Sequence, residues 1–148
     1  MLVGKHCTRN VITIRKPESV VEAARRMRQY HVGDLVVVEG ERDIPIGVLT
    51  DRDLVVSVLA NDVEHLTKLD VGDVLTHEVM VAREDEDVSD VLYRMQKRGV
   101  RRVPVVDRAG ALTGIFTLDD VLGLLADDMA SVFALVKRQR QREAERRA

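Results

Sequence analysis

The sequence predicts an α+β fold built from two copies of one β-α-β-β-α unit, followed by a further helix. Three observations predict it. The chain of 148 residues repeats itself at a fixed spacing, each copy shows strand-like and helix-like patterns in the same order, and the last segment keeps a helical period. A chain of this length buries enough surface to be stable without disulfides or a structural metal.

The repeat becomes visible when the sequence is shifted by 68 positions. Over residues 3–39, 12 of 37 positions are then identical without a gap. One residue is lost from the second copy between Glu39 and Gly47, in a segment typical of a hairpin turn. At a shift of 67, a Gly-x-x-Thr-x-x-Asp motif recurs, at Gly47, Thr50 and Asp53 and again at Gly114, Thr117 and Asp120. We therefore divide the chain into repeat 1 (1–62), repeat 2 (63–127) and a C-terminal helix with a basic tail (128–148).

Each copy opens with a short β-rich piece that leads into a helix. We predict the two strands over residues 11–14 and 79–81. A cap residue followed three positions later by an acidic residue, the spacing of a capping box, indicates where each helix starts. The two pairs are Ser19 with Glu22 and Asp87 with Asp90. Apolar residues then recur at helical spacing in both copies.

Two apolar runs and a second helix complete each copy. Because the apolar residues follow one another without alternation, we predict strands that are covered on both faces. The runs cover 35–38 and 46–49 in the first copy and 103–106 and 114–116 in the second. The closing helices are predicted over 53–60 and from 120 onward.

Composition and charge exclude several classes of protein. Apolar residues make up 45% and charged residues 32%, as in folded globular chains. A net charge of −2 and an aromatic content of 3% argue against general nucleic-acid binding. Because no apolar stretch is long enough to cross a membrane and the start lacks a secretion signal, we expect a cytoplasmic protein. One cysteine and four scattered histidines give no metal-ligand spacing, and no catalytic motif is present, so we expect neither a metal site nor an enzyme.

The repeated Thr-x-x-Asp motif has two interpretations. Before an apolar helix it is a capping box, which needs no ligand. A helix start also offers free N–H groups to a phosphate, and a carboxylate beside it can accept two hydrogen bonds from a ribose diol. Both interpretations hold together, and recurrence at the end of an equivalent strand favours the second. The residues are Thr50 and Asp53, and Thr117 and Asp120.

Two further repeated segments carry residues suited to a nucleotide. Arg101 and Arg102 precede a strand, where they would form either an exposed edge or a phosphate clamp. Small and branched residues just before the first strand of each copy could form the flat apolar slot that an adenine needs. These are Thr8, Val11 and Thr13 in the first copy and Thr76, Val79 and Val81 in the second.

Taken together, the doubled unit, the two Gly-x-x-Thr-x-x-Asp endings and the segment Gly99-Val100-Arg101-Arg102-Val103-Pro104-Val105-Val106-Asp107 resemble a tandem of cystathionine-β-synthase (CBS) domains, also called a Bateman module. The resemblance covers residues 1–127. It implies two repeats packed sheet to sheet around a pseudo-twofold axis, with two clefts for adenosine-containing ligands. It further implies a stand-alone regulatory protein that signals to a partner. The expected ligands are AMP, ADP or ATP, with NAD and S-adenosylmethionine as further candidates.

The resemblance also implies which residues share a cleft, since each cleft takes its Thr-x-x-Asp from one repeat and its base-holding segment from the other. The main cleft would use Thr50, Asp53, Thr76, Val79, Val81, Arg101, Arg102 and Val103. The second would use Thr117, Asp120, Thr8, Val11, Thr13, Gly33, Asp34 and Leu35. Asp34 stands where the main cleft has Arg102, and a carboxylate there repels a phosphate. We therefore expect the second cleft to bind more weakly, to stay empty, or to prefer a nucleoside-like or cationic ligand.

The last segment adds a possible contact surface. Leu118, Leu122, Leu125, Met129, Val132 and Val136 follow one another at spacings of 4, 3, 4, 3 and 4, which is a heptad seam. We expect it to contribute, with the repeat helices, to a homodimer. Residues 137–148 then carry six basic and two acidic side chains, typical of a solvated helix end. Two other functions stay open: a ligand-free dimerisation or scaffold module, and a nucleic-acid-associated regulator that uses this tail.

Overall fold

The computed structural model describes residues 1–61, 63–75 and 78–147. The chain forms two compact units, Met1–Phe116 and Thr117–Ala148. The first unit contains α1 (Val3–His6), β1 (Thr13–Arg15), α2 (Val20–Tyr30), β2 (Asp34–Glu39), β3 (Ile44–Thr50), α3 (Asp51–Asp53), a π-helical segment (Leu54–Leu59), a 3-10 turn (Leu66–Lys68), α4 (Val71–Val74), β4 (Ala82–Arg83), α5 (Val88–Arg98), β5 (Arg102–Val106) and β6, which spans Leu112–Thr117 and so ends at the unit boundary.

Two three-stranded sheets have the same order, β1-β2-β3 and β4-β5-β6. In each sheet the first strand is parallel to the second, and β2 is antiparallel to β3. The predicted α+β class and the two repeats are therefore confirmed. The first strands are displaced from their predicted positions: β1 starts at Thr13, and β4 is only two residues long. The pairing with the second strand of each sheet begins with Thr13 opposite Val36 and with Ala82 opposite Val105.

The helix starts follow the predicted capping pattern with one difference. Ser19 accepts a hydrogen bond from the backbone N–H of Glu22 at 3.0 Å, as the spacing predicts. Asp87 instead accepts from the N–H of Ser89, also at 3.0 Å. The helix predicted over 53–60 begins two residues earlier, and after Asp53 it continues as a π-helix. π-Helical segments are rare and are frequent at functional sites.

The two repeats exchange their opening segments. The N–H of Val3 donates to the carbonyl of Glu86 at 2.9 Å, and in the other direction the N–H of Val71 donates to the carbonyl of Glu18 at 2.8 Å. These two bonds are related by the 68-residue shift, so each repeat completes the other around an approximate twofold axis. Val71 is fully buried in the core of the first repeat. Neither repeat can therefore fold alone without exposing this junction.

β2 is buried on both faces, as its unbroken apolar run predicts. One face, with Leu35 and Val37, packs into the core of the first repeat. The other face, with Val36 and Val38, packs against Ile115 of β6. The sheets of the two repeats therefore face each other through β2 and β6. This packing places the ends of β3 and β5, where the predicted polar residues lie, near each other.

The second unit is a single helix, α6, which runs from Leu118 to Arg147. It begins with a capping box in which the Thr117 N–H donates to Asp120 Oδ2 at 2.9 Å and the Asp120 N–H donates to Thr117 Oγ1 at 3.2 Å. The helix continues without interruption through the apolar seam and the basic tail. Most of its large apolar side chains are exposed.

Gly114 marks a close approach that a side chain would disturb. A Cβ at this position would lie 2.7 Å from Cys7 Sγ and 2.9 Å from the carbonyl oxygen of Thr8. Since the Thr8 backbone is paired with Ile115, it cannot move away freely. We expect Gly114→Ala to lower the free energy of unfolding by about 1–2 kcal/mol, measured by urea denaturation. Gly123→Ala on α6 is the control: a Cβ there meets no atom within 4 Å, so this change should be neutral or stabilising.

Candidate functional site

A cleft of about 260 Å³ lies in the first unit where the end of β3 approaches the segments before β4 and β5. Its volume is close to the lower end of the range for small-molecule sites. Residues of both repeats line it: Gly47, Val48, Thr50, Asp53, Val74, Leu75, Glu78, Val79, Met80, Val100, Arg101 and Arg102. The cleft therefore combines an apolar wall with four charged side chains.

The Thr50–Asp53 capping box forms one end of the cleft. The N–H of Thr50 donates to Asp53 Oδ2 at 2.9 Å, and the N–H of Asp53 donates to Thr50 Oγ1 at 3.1 Å. These bonds fix the Asp53 carboxylate at the start of α3. Among the described residues, Asp53 Oδ1 has no hydrogen-bond donor. The carboxylate can therefore accept hydrogen bonds from a ligand diol without losing its structural role.

The apolar wall depends on Gly47. A Cβ at this position would lie 2.8 Å from Leu75 Cδ2, so only glycine lets β3 lie this close to the segment after α4. Val79 and Met80 continue the wall, and both are partly buried. A narrow apolar slot of this kind suits a flat aromatic ring.

Two arginines form the opposite side of the cleft. Arg101 is exposed and makes no ion pair with any described residue, so its guanidinium is available to a ligand. Arg102 is partly buried, and its Nε lies 2.9 Å from Asp34 Oδ2. The Nε–H is not aligned for a hydrogen bond with any described residue. The contact with Asp34 is therefore an ion pair rather than a directed hydrogen bond.

The Asp34–Arg102 pair joins equivalent positions of the two repeats. The numbers differ by 68, which is the repeat spacing, and each residue begins the second strand of its sheet. Residues next to a twofold axis meet their own equivalents, so identical charges here would repel each other. Opposite charges replace this repulsion with attraction. The divergence between the repeats at this position therefore stabilises their contact.

Burial and the neighbouring charges act on Asp34 in opposite directions. Burial raises the pKa of the Asp34 carboxyl above its ordinary value, the positive charge of Arg102 lowers it, and Asp51 raises it. The net direction is upward. The protein environment of Asp34 therefore disfavours the charged form of the carboxyl group relative to water, despite the ion pair.

The structure brings together five of the eight residues predicted for the main cleft. Thr50, Asp53, Val79, Arg101 and Arg102 all line it. Two further described residues do not line the cleft. Val103 is fully buried in β5, and the carbonyl of Val81 accepts a hydrogen bond from the side chain of Arg94. Thr76 lies outside the described residues.

The residues predicted for the second cleft lie in both units. Within the first unit, Leu35 is fully buried, Val11 packs beside the β2–β6 contact, and Thr13 pairs with Val36. Thr8 pairs through its backbone with Ile115, Gly33 lies beside the Asp51 carboxylate, and Asp34 contacts Arg102. Thr117 and Asp120 belong to the second unit, where they cap α6. The contact of Asp34 with Arg102 was not expected from the sequence.

Sequence reasoning missed seven lining residues: Gly47, Val48, Val74, Leu75, Glu78, Met80 and Val100. Gly47 carried a signal, because it recurs as Gly114 in the repeated motif. Glu78 carried none, since an isolated acidic residue in a loop is ordinarily solvated. Its presence matters because it adds a second carboxylate to the cleft.

No group of three or more histidine, cysteine, aspartate or glutamate side chains in the described part of the chain is placed to hold a metal ion. Among the described helices, none combines the length and the apolar character needed to cross a bilayer.

Sequence comparisons identify relatives along most of the chain. A family model of the CBS domain matches it twice, over residues 3–60 and 71–127. The uncharacterized protein MK0525 of Methanopyrus kandleri is 38% identical over 120 residues, which are 81% of this chain and 60% of that protein. The chain thus spans three fifths of that relative's length. The CBS domain-containing protein YhcV of Bacillus subtilis is 32% identical over 114 residues, 77% of this chain and 78% of that protein.

Solved structures show the same fold. The CBS domain pair of protein MJ0100, in complex with 5′-methylthioadenosine and S-adenosyl-L-methionine, matches with a TM-score of 0.74 and 29% identity, covering 86% of this chain and 98% of that one. Hypoxic Response Protein I, with two coordinated zinc ions, matches with a TM-score of 0.71 and 27% identity, covering 82% of this chain and 97% of that one.

Proposed function

The chain belongs to the CBS-domain family, with two domains in tandem, and from this premise we propose that it is a regulatory module that binds an adenosine-containing ligand in the Thr50–Asp53 cleft. A solved relative binds ligands of this chemical class. In this proposal the chain is not itself an enzyme. It acts in the cytoplasm and passes the occupancy of the cleft to a partner protein.

One observation carries the proposal: a single cleft combines the three elements that an adenine nucleotide requires. Asp53 offers a fixed carboxylate to the ribose hydroxyls. The wall beside Gly47 and Val79 offers an apolar slot for the base. Arg101 and Arg102 offer positive charge to a phosphate. A capping box alone would require neither the slot nor the arginines.

The charges of the cleft favour a ligand with few phosphates. Asp53 and Glu78 oppose Arg101 and Arg102, and Asp34 already neutralises part of the charge of Arg102. One phosphate carries a charge of about −1.5 to −2, which two guanidinium groups can balance. A triphosphate would leave negative charge facing two carboxylates. We therefore propose AMP as the preferred ligand among AMP, ADP and ATP.

The remaining predicted residues belong to the same proposal in a lesser role. Thr76, Val81 and Val103 complete the base-holding segment of the main cleft. The second site, with Asp34 in place of an arginine, binds more weakly or takes a nucleoside-like or cationic ligand.

Self-association through the repeat helices and α6 is also proposed, and exposed apolar residues support it: Val55, Val56 and Leu59 on the π-helical segment and Leu92 on α5.

Calorimetric titration of the full chain with adenosine, AMP, ADP, ATP, NAD and S-adenosylmethionine tests the proposal. Binding of at least one ligand with micromolar affinity is expected, with AMP tighter than ATP. A ligand at a hundred times its dissociation constant should also raise the stability by about 2.7 kcal/mol. If no member of the panel binds, the cleft is a structural joint and the module is a scaffold.

Arg102 should recognise the phosphate rather than the nucleoside. We expect Arg102→Ala to weaken AMP binding about tenfold, because one charge-assisted hydrogen bond is lost, while adenosine binding changes less than about twofold. Calorimetry with both ligands measures the difference. Arg108→Ala removes the same charge from an exposed position outside the cleft and is the control. Equal losses for AMP and adenosine would show that Arg102 does not contact the phosphate.

A further inference from the structure

The helix α6 carries an apolar stripe that is left open to solvent. Leu122, Leu125, Met129, Val132, Phe133, Leu135 and Val136 are between 40% and 68% exposed. They span about four helical turns, or about 22 Å. Monomeric proteins rarely leave a continuous apolar surface of this kind uncovered, so the stripe indicates an interface.

The charges on α6 are separated along its length. The N-terminal half carries Asp119, Asp120, Asp127 and Asp128 and no basic residue. The segment from Lys137 to Arg147 carries six basic and two acidic residues. Asp119 and Asp120 precede the apolar stripe, Asp127 and Asp128 lie within its span, and the basic segment follows it. Within the described residues, Asp127 and Asp128 form no ion pair, and neither do Arg138 and Arg140.

This arrangement determines which partner fits. Two parallel copies of α6 would place aspartates beside aspartates and arginines beside arginines. Two antiparallel copies place the acidic end of each helix beside the basic end of the other, with the apolar stripes in contact. We infer that α6 pairs with α6 of a second copy of this chain in an antiparallel coiled coil. The inference rests on the self-association proposed above and does not depend on the ligand.

A membrane surface or a nucleic acid fits the helix less well. Helices that lie on anionic lipid carry basic residues along their whole polar face, whereas the acidic half of α6 would be repelled. The same aspartates oppose a nucleic-acid backbone, leaving only the last turns to bind it. A second copy of α6 is the partner that satisfies the apolar stripe and both charged ends together.

Charge exchange on the full chain tests the pairing. Antiparallel stripes centred near residue 129 place Asp119 of one helix close to Arg140 of the other, so the variants to compare are D119K and R140E. In an antiparallel pair each variant alone opposes like charges, so the dimer dissociation constant should rise at least about tenfold in sedimentation experiments at low salt. The two changes combined should restore it to within about threefold of the natural protein. The differences should shrink at 1 M salt, where the Debye length is about 3 Å.

A distance measurement determines the orientation. A spin label at Gln141→Cys, in a Cys7→Ser background, lies about 12 residues from the middle of the stripe. With a rise of about 1.5 Å per residue, antiparallel helices separate the two labels by about 36 Å, whereas parallel helices hold them within about 20 Å. Circular dichroism checks that each variant keeps its helix.

Several results would contradict an antiparallel pairing of α6. A natural protein that stays monomeric at high micromolar concentration, charge variants that associate as the natural protein does, or labels held at the short distance would each overturn the inference. Binding to anionic vesicles or to DNA in place of self-association would overturn it as well. Adenosine and AMP titrations on the same preparations keep the two proposals apart, because loss of ligand binding with intact pairing counts only against the function proposed above.

Discussion

Asp53→Ala is expected to weaken the binding of adenosine and AMP about 100-fold. The carboxylate is held at the start of α3 by the N–H of Thr50, with Oδ1 turned to no described donor. In the bound state it would accept two hydrogen bonds from the ribose hydroxyls. Hydrogen bonds to a charged acceptor contribute about 1.5–3 kcal/mol each, so losing both amounts to a factor of at least 100. Calorimetry with both ligands gives the ratio.

Removal of Asp53 also removes half of a capping box, and a control must separate the two effects. Asp73 closes an equivalent box, with its Oδ2 accepting from the Asp70 N–H at 2.9 Å, and it does not line the cleft. Asp73→Ala should cost similar stability and leave ligand affinity unchanged. If Asp53→Ala binds adenosine as tightly as the natural protein does, Thr50 and Asp53 are only a helix cap.

The repeat made most of the fold predictable from the sequence. Two copies of one pattern fix the order of elements twice, so an error in one copy is corrected by the other. The unbroken run over 35–38 predicted a strand buried on both faces, and Val36 and Leu35 do face opposite sides of β2. Ser19 predicted the start of α2 because a cap is a local hydrogen bond that depends only on neighbouring residues.

Features that depend on contacts distant in the sequence could not be predicted in this way. The exchange of Val3 and Val71 between the repeats depends on backbone hydrogen bonds, which any residue can form. Glu78 enters the cleft because the segment before β4 runs along it instead of pairing as a strand. The α-helical period did not indicate that the helix after Asp53 widens into a π-helix, in which Val58 is buried while Val55, Val56 and Leu59 are exposed.

The Asp34–Arg102 pair shows where reasoning from one repeat at a time stops. The sequence comparison aligned Asp34 with Arg102 as equivalent positions and assigned them to different clefts. Close to an approximate twofold axis, however, equivalent positions lie next to each other, so these two residues are in contact. The pair therefore links the arginine of the main cleft to the residue that distinguishes the second site.

The two halves of this pair are not interchangeable, and removing Asp34 should cost more stability than removing Arg102. After Asp34→Ala the guanidinium of Arg102 stays charged and partly buried, because arginine does not lose its proton in proteins. Breaking a fully buried pair costs about 3–5 kcal/mol. The side chains are 33% and 24% exposed, so we expect about 2–3 kcal/mol in urea unfolding. With Arg102 released, AMP binding should also tighten while adenosine binding does not.

After Arg102→Ala, the carboxyl group of Asp34 can lose its charge by taking up a proton. Burial already raises the pKa of Asp34, and without the opposing positive charge of Arg102 the pKa rises further. The folded state then takes up a proton more readily than the unfolded state, so the free energy of unfolding falls as the pH rises above the ordinary range of an aspartate. We expect Arg102→Ala to lose stability more steeply than the natural protein as the pH rises above the ordinary range of an aspartate, and Asp34→Ala to show no such loss. A steeper loss in Asp34→Ala, or a larger cost for Arg102→Ala at neutral pH, would mean that contacts other than this ion pair dominate the contact between the repeats.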